Sequence, residues 1–208
     1  MRASFAIYSE VVGIHDREHV EISCVNELIA WLEHNASASP GLWVVTHKKS
    51  SGKPAPSYDE IVRAVLCFGW IDSIPGKVDE QRSKLYISPR KPNSAWSQPN
   101  KIRVEELIAT GEMRPAGLAV IEAAKASGSW TRIDSAQSGE IPPDLAAAFT
   151  KHESSAENFA AFPAGVRKQI LEWVAQAKTA PTREKRIAET AELAAQNIRA
   201  NQWRGSHK

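Results

Sequence analysis

The last third of the chain carries helix-forming segments and no strand pattern, and this limits the possible folds more than any other feature. Four segments rich in good helix formers follow residue 141: DLAAAFTKHE, SAENFAAF, PAGVRKQILEWVAQAK and TREKRIAETAELAAQN. The third contains one apolar stripe at helical spacing, formed by Val166, Ile170, Trp173, Val174 and Ala177. We therefore predict an all-helical region over residues 142–204.

The first part of the chain alternates between helical and strand-like patterns. Residues 25–34 place their apolar side chains on one stripe and predict a short amphipathic helix, with Asn26 as its cap. The run LWVVT at 42–46 is apolar and β-rich, which is typical of a central strand. Ser57 and Glu60 have the spacing of a capping box, so the next helix is predicted to begin there.

Residues 69–90 change to a strand pattern. The segments GWIDSI and KLYISPR indicate a hairpin with a long connection or two neighbouring strands, and Pro75-Gly76 between them is predicted to be a turn. Helices are then predicted from about 100 to 110 and from 114 to 127.

Residues 131–141 are polar and lack periodicity, which predicts a linker. The predicted division is an α+β domain at 1–130 and a helical C-terminal region at 142–204. The predicted fold class is α+β, with a small, mostly antiparallel sheet packed with helices and followed by an all-helical C-terminal part.

The composition is that of an ordinary globular protein, with 42% hydrophobic and 24% charged residues. Cys24 and Cys67 have no His or Cys neighbours at ligand spacing, so we predict reduced thiols. Only His15 and His19 share a possible helical face and no third ligand is near them in sequence, so we predict no metal site. No cofactor is predicted either. The N-terminal segment lacks the apolar core of a signal peptide, and no stretch approaches the ~20 apolar residues of a membrane span. We therefore expect a cytoplasmic protein.

Charge is distributed unevenly along the chain. Residues 47–103 carry eleven basic and five acidic side chains, whereas acidic side chains are in excess over residues 1–46 and 104–166. An anionic partner is therefore expected at the central third. The alternative is that these charges form a solvated surface and are balanced by acidic neighbours in the folded chain.

The sequence contains no standard catalytic or nucleotide-binding motif. The loop KKSSGK, which includes Lys48 and Lys49, has the flexible backbone and ammonium groups to hold an anion. A solvated loop has the same composition, so both interpretations remain. Cys67 is a possible nucleophile, but its apolar neighbours favour a buried, inert thiol.

Residues 67–103 combine two tryptophans, a carboxylate and several cations in a proline-stiffened segment. Aromatic faces beside fixed cations favour a pocket for a planar or anionic ligand. Together with the basic loop, the predicted ligand-binding residues are Lys48, Lys49, Trp70, Asp72, Arg90, Trp96, Ser97 and Asn100. The alternative is that both tryptophans are core residues and that Asp72 pairs with Arg90.

The same segments resemble the YdeI/OmpD-associated (bacteriocin-protection) family. The matching elements are LWVVTHKKSSGKP, SYDEIVRAVLCFGWIDS, YISPRKPNSAWSQPNKIRVEELIATGEMRPAGLAVIEAAKASGSW, IPPDLAAAF and a helix pair ending in AKTAPTREKRIAE. The resemblance runs from about His19 to about Leu193. The first eighteen residues have no counterpart and are interpreted as an extra strand or a disordered lead.

The resemblance implies a modest functional expectation, because no settled catalytic activity comes with the family. Its name points to envelope stress or to protection from antimicrobial peptides. The positions characteristic of the family fall on Lys48, Lys49, Gly52, Tyr58, Glu60, Cys67, Gly69, Trp70, Ile71, Asp72, Pro89, Arg90, Trp96, Ser97 and Asn100.

Four functions remain open at this point. The first is a binding module for a small anionic ligand, in which the two tryptophans and Arg90 form the walls and the clamp. The second is a regulatory protein whose C-terminal helices bind a partner protein. The third is nucleic-acid binding through the basic 47–103 segment, and the fourth is an enzyme with Asp72 as base or Cys67 as nucleophile. The first is preferred because it uses the residues that carry the resemblance.

Overall fold

Four short strands form one mixed sheet in the computed structural model, which describes residues 13–202. They are β1 (His19–Glu21), β2 (Leu42–His47), β3 (Trp70–Lys77) and β4 (Arg82–Pro89). The strand order is β1-β2-β4-β3. β1 runs parallel to β2, whereas the β2–β4 and β3–β4 pairs are antiparallel. The prediction of a small, mostly antiparallel sheet is confirmed.

Nine helices occur in the part of the chain that the structure describes. They are α1 (Val25–Asn35), α2 (Tyr58–Cys67), α3 (Gln98–Ala109), α4 (Pro115–Ala126), α5 (Asp134–Ser138), α6 (Pro143–Phe149), α7 (Ser155–Ala161), α8 (Ala164–Ala175) and α9 (Ala180–Ala195). The predicted α+β class and the helical C-terminal part are both confirmed.

The hairpin of β3 and β4 is confirmed, but the predicted turn at Pro75-Gly76 is wrong. Both residues lie inside β3, where they pair with Leu85 and Lys84 of β4. The register shifts between Asp72 and Pro75, which marks a bulge. A proline is tolerated there because β3 is an edge strand and the bulge interrupts the ladder of hydrogen bonds.

The chain turns at residues 78–81 instead. The carboxylate of Asp79 accepts hydrogen bonds from the backbone N–H groups of Gln81 and Arg82, at 2.9 and 2.7 Å. An aspartate that binds the backbone two residues further on is a local turn former. The turn therefore depends on Asp79 and requires neither proline nor glycine.

The predicted capping box at the start of α2 is confirmed. The Ser57 hydroxyl accepts a hydrogen bond from the backbone N–H of Glu60, and the Glu60 carboxylate accepts one from the backbone N–H of Ser57. By contrast, Asn26 does not cap α1, whose N-cap residue is Cys24. The side chain of Glu27 accepts a bond from the backbone N–H of Ser23 there instead, at 2.7 Å.

The described residues form two compact units. The first unit comprises 13–91 and 103–121, and the second comprises 92–102 and 122–202. The predicted linker at 131–141 lies within the second unit, and α5 occupies part of it. The division into domains at 1–130 and 142–204 stays a prediction.

The core of the first unit lies between the sheet and the helices α1 and α2. The helices carry apolar side chains at helical spacing and bury one face each, whereas β2 is buried on both faces over residues 42–45. The buried cluster consists of Ile22, Leu28, Leu32, Leu42, Val44, Ile61, Ala64, Val65, Trp70 and Ile87.

The core of the second unit consists of side chains from helices and their connections. The buried cluster is Ala136, Leu145, Phe149, Phe159, Phe162, Ile170, Leu171, Val174, Ile187, Ala191, Ala194 and Ala200. Ile170 and Val174 belong to the stripe predicted for α8, and Val166 and Trp173 are partly buried against the cluster. The predicted stripe therefore identifies the face of α8 that packs inward.

Residues 1–12, to which the prediction of an extra strand or disordered lead mainly applies, lie outside the described residues. Residues 14–16 form a 3-10 turn. None of the described helices is long and apolar enough to cross a membrane.

Candidate functional site

The first unit contains a cavity of about 390 Å³, bounded by α1, α2, the C-terminal part of α3 and the segment after α3. Its uncharged lining consists of Val25, Ile29, Ala64, Cys67, Phe68 and Leu107. Its charged lining consists of Glu60, Arg63, Glu112 and Arg114. Small-molecule sites usually occupy ~300–1,000 Å³ and combine an apolar wall with a few polar groups. This cavity has both properties.

One face of α2 forms a wall of the cavity. Glu60, Arg63, Ala64 and Cys67 are spaced at i, i+3, i+4 and i+7, and residues with this spacing lie on the same side of a helix. The two uncharged residues of this wall, Ala64 and Cys67, have small side chains. Space therefore remains beside α2 that a leucine or phenylalanine at either position would fill.

Two glycines allow backbone segments to approach closely behind this wall. A Cβ atom added to Gly117 would lie 2.5 Å from the carbonyl oxygen of Cys67 and 2.8 Å from that of Leu66. Gly69 has a φ of +72°, and a Cβ atom there would lie 2.7 Å from the side chain of Val120. Since both contacts require glycine, the end of α2 is held tightly against the start of α4.

Two arginines lie at the rim of the cavity. Arg63 is paired with Glu106, and Arg114 is paired with Glu33 at 2.9 Å. The two carboxylate partners are about half exposed, at 54% and 46%, so water competes with both ion pairs. The Arg114 guanidinium also lies 6.0 Å from the ring centroid of Phe68. A guanidinium has five N–H donors, so each can bind a second anion while it keeps its carboxylate partner.

Two glutamates lie at the same rim. The Glu60 carboxylate accepts hydrogen bonds from the hydroxyl and the backbone N–H of Ser57, at 2.7 and 2.8 Å, and these bonds lower the pKa of Glu60. The Glu112 carboxylate accepts a hydrogen bond from the hydroxyl of Thr110 at 2.7 Å. Each carboxylate has further acceptor positions, so the rim presents negative as well as positive groups.

The charged groups of the rim act together on Cys67, which is only 7% exposed. Burial raises the pKa of the Cys67 thiol, and the negative charge of Glu112 raises it further, whereas Arg114 and Arg63 lower it. Arg63, Glu112 and Arg114 line the same cavity as Cys67. A raised pKa leaves little thiolate at neutral pH, which disfavours a nucleophilic role.

The structure places the predicted residues Lys48 and Lys49 outside this cavity. The Lys48 ammonium donates hydrogen bonds to the carbonyl oxygens of Asp79 and Glu80, at 2.8 and 3.3 Å. It therefore connects the end of β2 to the hairpin turn. Lys49 is exposed and begins a 3-10 turn. In the part of the chain that the structure describes, the two ammonium groups share no hydrogen-bond partner.

Trp70, Asp72 and Arg90 lie near one end of the sheet in the first unit. Trp70 is 2% exposed and contacts Trp31 edge-on, with 6.0 Å between ring centroids. Asp72 accepts a hydrogen bond from the hydroxyl of Tyr58 at 2.7 Å. Burial, and then the bond to Asp72, raises the pKa of Tyr58 to about 12. Burial lowers the pKa of Arg90 to about 10, and the charge of Asp72 opposes that shift, so Asp72 and Arg90 are electrostatically coupled.

Trp96, Ser97 and Asn100 belong to the second unit. Trp96 is 2% exposed, and its ring centroid lies 4.9 Å from that of Trp130. The carbonyl oxygen of Ser97 accepts a hydrogen bond from the backbone N–H of Asn100 in the first turn of α3. Lys101 is buried beside them, with its ammonium 5.4 Å from the Trp130 ring centroid. Ligand binding by the eight predicted residues stays a prediction.

Sequence reasoning did not assign Arg63, Phe68, Glu112 or Arg114 to a ligand site. The sequence of α2 offered one possible signal of this site. Glu60, Arg63, Ala64 and Cys67 lie at helical spacing and form a stripe of charged and small side chains beside a fully apolar stripe. The residues from other elements are distant in sequence, and Arg63 and its partner Glu106 are 43 residues apart. Such convergence depends on tertiary packing.

Two family models match separate parts of the chain. Residues 20–120 match a model described as a Domain of unknown function (DUF8412). Residues 138–197 match the model described as Bacteriocin-protection, YdeI or OmpD-Associated. Residues 138–197 are therefore similar to the YdeI/OmpD-associated family, and we call them the YdeI/OmpD-associated segment. The predicted resemblance is confirmed over this segment, which includes α6 to α9.

The YdeI/OmpD-associated segment and the cavity are in different parts of the sequence. All the residues that line the cavity fall within 20–120, the range of the domain of unknown function. The motifs LCFGWID and SPRKPNSAWS, on which much of the sequence resemblance rested, fall in that range as well. No curated protein and no solved structure shows a significant match to the chain.

Proposed function

We propose that the first unit is a binding module for a small ligand that has an anionic group and an apolar body. The observation that carries the proposal is the cavity of about 390 Å³ with an apolar wall and two arginines at its rim. The apolar body of the ligand would contact Ile29, Phe68 and Leu107. Its anionic group would accept hydrogen bonds from Arg63 and Arg114, which form shorter and stronger bonds to anions than neutral donors do.

The burial of the predicted tryptophans favours this cavity over the block of residues from Trp70 to Asn100. Trp70 and Trp96 are each 2% exposed, so neither presents an open face on which a ligand could stack. Arg90 is 6% exposed. The cavity therefore supports the same class of function with a different set of residues.

Nucleic-acid binding through residues 47–103 has less support. At least five of the eleven basic residues in this segment form ion pairs with carboxylates: Arg63, Lys77, Arg82, Lys101 and Arg103. Charges that are already compensated release fewer counterions from a phosphate backbone, and counterion release provides most of the affinity in such complexes.

A role in protection from antimicrobial peptides is part of the proposal and rests on the description of the family that residues 138–197 match. A small-ligand module can serve such a role by binding a signal molecule. We infer no catalytic step, because the raised pKa of Cys67 disfavours a thiolate nucleophile.

The proposal is tested first by a thermal-shift screen of the full chain against small carboxylates, organic phosphates and sulfonates that carry apolar groups. A ligand at a hundred times its Kd stabilises the folded state by about 2.7 kcal/mol, which raises Tm by several degrees. Arg63→Gln and Arg114→Gln should each reduce the ligand-induced shift, whereas Arg199→Gln, which changes an exposed arginine of the second unit, should not.

The location of the ligand is tested by alkylation of Cys67 in a Cys24→Ser background, since Cys24 is exposed and Cys67 lines the cavity. A ligand in the cavity should slow the reaction of Cys67 with iodoacetamide in proportion to its occupancy, and the rate is measured at alkaline pH because the raised pKa of Cys67 leaves little thiolate at neutral pH. A ligand that raises Tm but leaves the alkylation rate unchanged binds elsewhere, and that result contradicts the assignment to this cavity.

A further inference from the structure

The rim of the cavity carries charges of both signs in equal number. Arg63 and Arg114 contribute two guanidinium groups, and Glu60 and Glu112 contribute two carboxylates. A site that bound a simple anion would be expected to present a net positive lining. The two glutamates therefore indicate that the ligand carries a cationic group in addition to the anionic group that the arginines bind.

Both glutamates are fixed in position by local hydrogen bonds. Glu60 is held by the capping box with Ser57, and the same hydrogen bonds lower its pKa. Glu112 is held by the Thr110 hydroxyl, and its backbone N–H donates to the carbonyl oxygen of Leu107 at 3.0 Å. Fixed acceptors contribute to selectivity, because a ligand that binds them does not have to order them first.

The size of the cavity limits the ligand as well. A volume of about 390 Å³ corresponds to roughly a dozen water molecules at ~30 Å³ each. A molecule with on the order of a dozen non-hydrogen atoms therefore fills the space. The apolar wall around Phe68 and Leu107 requires a large part of those atoms to be carbon.

We propose that the ligand is a zwitterion of the amino-acid class with one large apolar side chain, an inference that rests on the proposed function of the cavity. Its carboxylate binds Arg63 and Arg114, its ammonium group binds Glu112 or Glu60, and its side chain packs against Phe68, Leu107 and Ile29. A molecule with only one charge forms no bond to the rim groups of opposite sign, so it loses the charge-assisted hydrogen bonds that the second charge of a zwitterion makes there.

The test compares three molecules that share one side chain. L-phenylalanine carries both charges, N-acetyl-L-phenylalanine carries only the carboxylate, and L-phenylalaninamide carries only the ammonium group. The corresponding leucine and tryptophan series are included, so that the result does not depend on one side chain. Affinity for the full chain is measured by isothermal titration calorimetry at two salt concentrations, and Cys67 alkylation reports the location of each ligand.

The expected result is that one of the zwitterions binds at least tenfold more tightly than both of its singly charged derivatives, since a hydrogen bond to a charged group contributes about that factor. Glu112→Gln should lower the affinity for the zwitterion and the amide but not for the N-acetyl derivative. Arg114→Gln should lower the affinity for the zwitterion and the N-acetyl derivative but not for the amide. Glu105→Gln, at an exposed glutamate of α3 outside the cavity lining, is the matched control.

The outcomes separate this inference from the proposed function. If N-acetyl derivatives bind as tightly as the amino acids and Glu112→Gln has no effect, the ligand is a simple anion; the zwitterion inference is then wrong and the proposed function stands. The same holds if other anions protect Cys67 and no amino acid does. If neither the amino acids nor the wider set of anions protects Cys67, both proposals fail.

Discussion

The two units of the chain differ in what borders their buried side chains, although aromatic rings are in contact in both of them. In the second unit, large aromatic rings pack directly against one another, with 5.1 Å between the ring centroids of Phe149 and Phe159 and 6.0 Å between those of Phe159 and Phe162. In the first unit, the sheet and two helices form a filled core, but the face of α2 that carries Ala64 and Cys67 borders open volume.

This difference indicates where binding is expected. Close packing of large side chains stabilises a fold and leaves no room for a ligand. The second unit does have a surface groove beside Trp173, but Arg186 already covers the aromatic ring there, at 4.9 Å from its centroid. In the first unit, one face of α2 borders a cavity that combines an apolar wall with four charged residues.

The largest expected effect comes from emptying the aromatic cluster. Phe159→Ala should reduce the free energy of unfolding by about 3–5 kcal/mol, because Phe159 is fully buried and its removal leaves a cavity. Val25→Ala, at the existing cavity of the first unit, should cost only about 1 kcal/mol. Urea denaturation followed by circular dichroism measures both. Equal losses would contradict the contrast between a filled and an open unit.

The next effect tests the close backbone contact behind the cavity. Gly117→Ala should destabilise the chain by about 1–3 kcal/mol, because the added Cβ atom would collide with two carbonyl oxygens that cannot move independently. Gly165→Ala is the matched control, since it is also near the start of a helix and no heavy atom lies within 4 Å of the new Cβ. It should stabilise the chain by up to about 1 kcal/mol. If both substitutions change the free energy of unfolding in the same direction, the contact between Gly117 and the end of α2 is not tight.

A smaller effect is expected from the cap of α2. Ser57→Ala removes the acceptor for the backbone N–H of Glu60 and should cost about 1 kcal/mol. Because the same substitution removes the hydroxyl bond to the Glu60 carboxylate and leaves only the backbone bond, it should also weaken the binding of any ligand whose cationic group contacts Glu60. Ser57→Thr is the matched variant, since threonine also caps helices and keeps the hydroxyl that donates to the Glu60 carboxylate. A ligand affinity that falls with Ser57→Ala and is retained with Ser57→Thr would connect the cap to the cavity.

The smallest effect is a pH dependence in the hairpin of the first unit. The bond from Arg82, and then those from the backbone, lower the pKa of Asp79 to about 2 from an ordinary 3.8. A carboxyl group with a lowered folded-state pKa contributes stability above pH 3.8, and that contribution is lost as the pH falls toward 2. Asp79→Asn should therefore flatten the acid limb of the stability curve, measured as Tm between pH 4 and 2. An unchanged limb would show that Asp79 does not stabilise the turn.

Local features of the fold were predictable from the sequence. The capping box at Ser57 and the helices of the second unit follow from side chains a few residues apart, and the structure confirms them. Strand β1 was missed because its three residues are too few to establish an alternating pattern. Pro75-Gly76 was predicted as a turn because local turn propensity does not reveal a bulge in an edge strand.

The candidate site was predictable only as a class. The sequence led to a small-ligand module with cationic groups, and the proposed cavity has that character. Its residues were not found, because Arg63 and Arg114 are brought together by tertiary packing and not by a motif. Trp70 and Trp96 are aromatic residues beside cations, which favoured a ligand pocket. Both are buried, which agrees with the alternative that they are core residues.

The bulge in β3 also affects how the chain behaves at high concentration. An edge strand with a long, regular row of unpaired N–H and C=O groups can add a strand from another molecule and begin aggregation. β3 interrupts that row between Asp72 and Pro75, and the proline has no N–H to offer. At the other edge, β1 is only three residues long. Both borders of the sheet are therefore poor templates for intermolecular pairing.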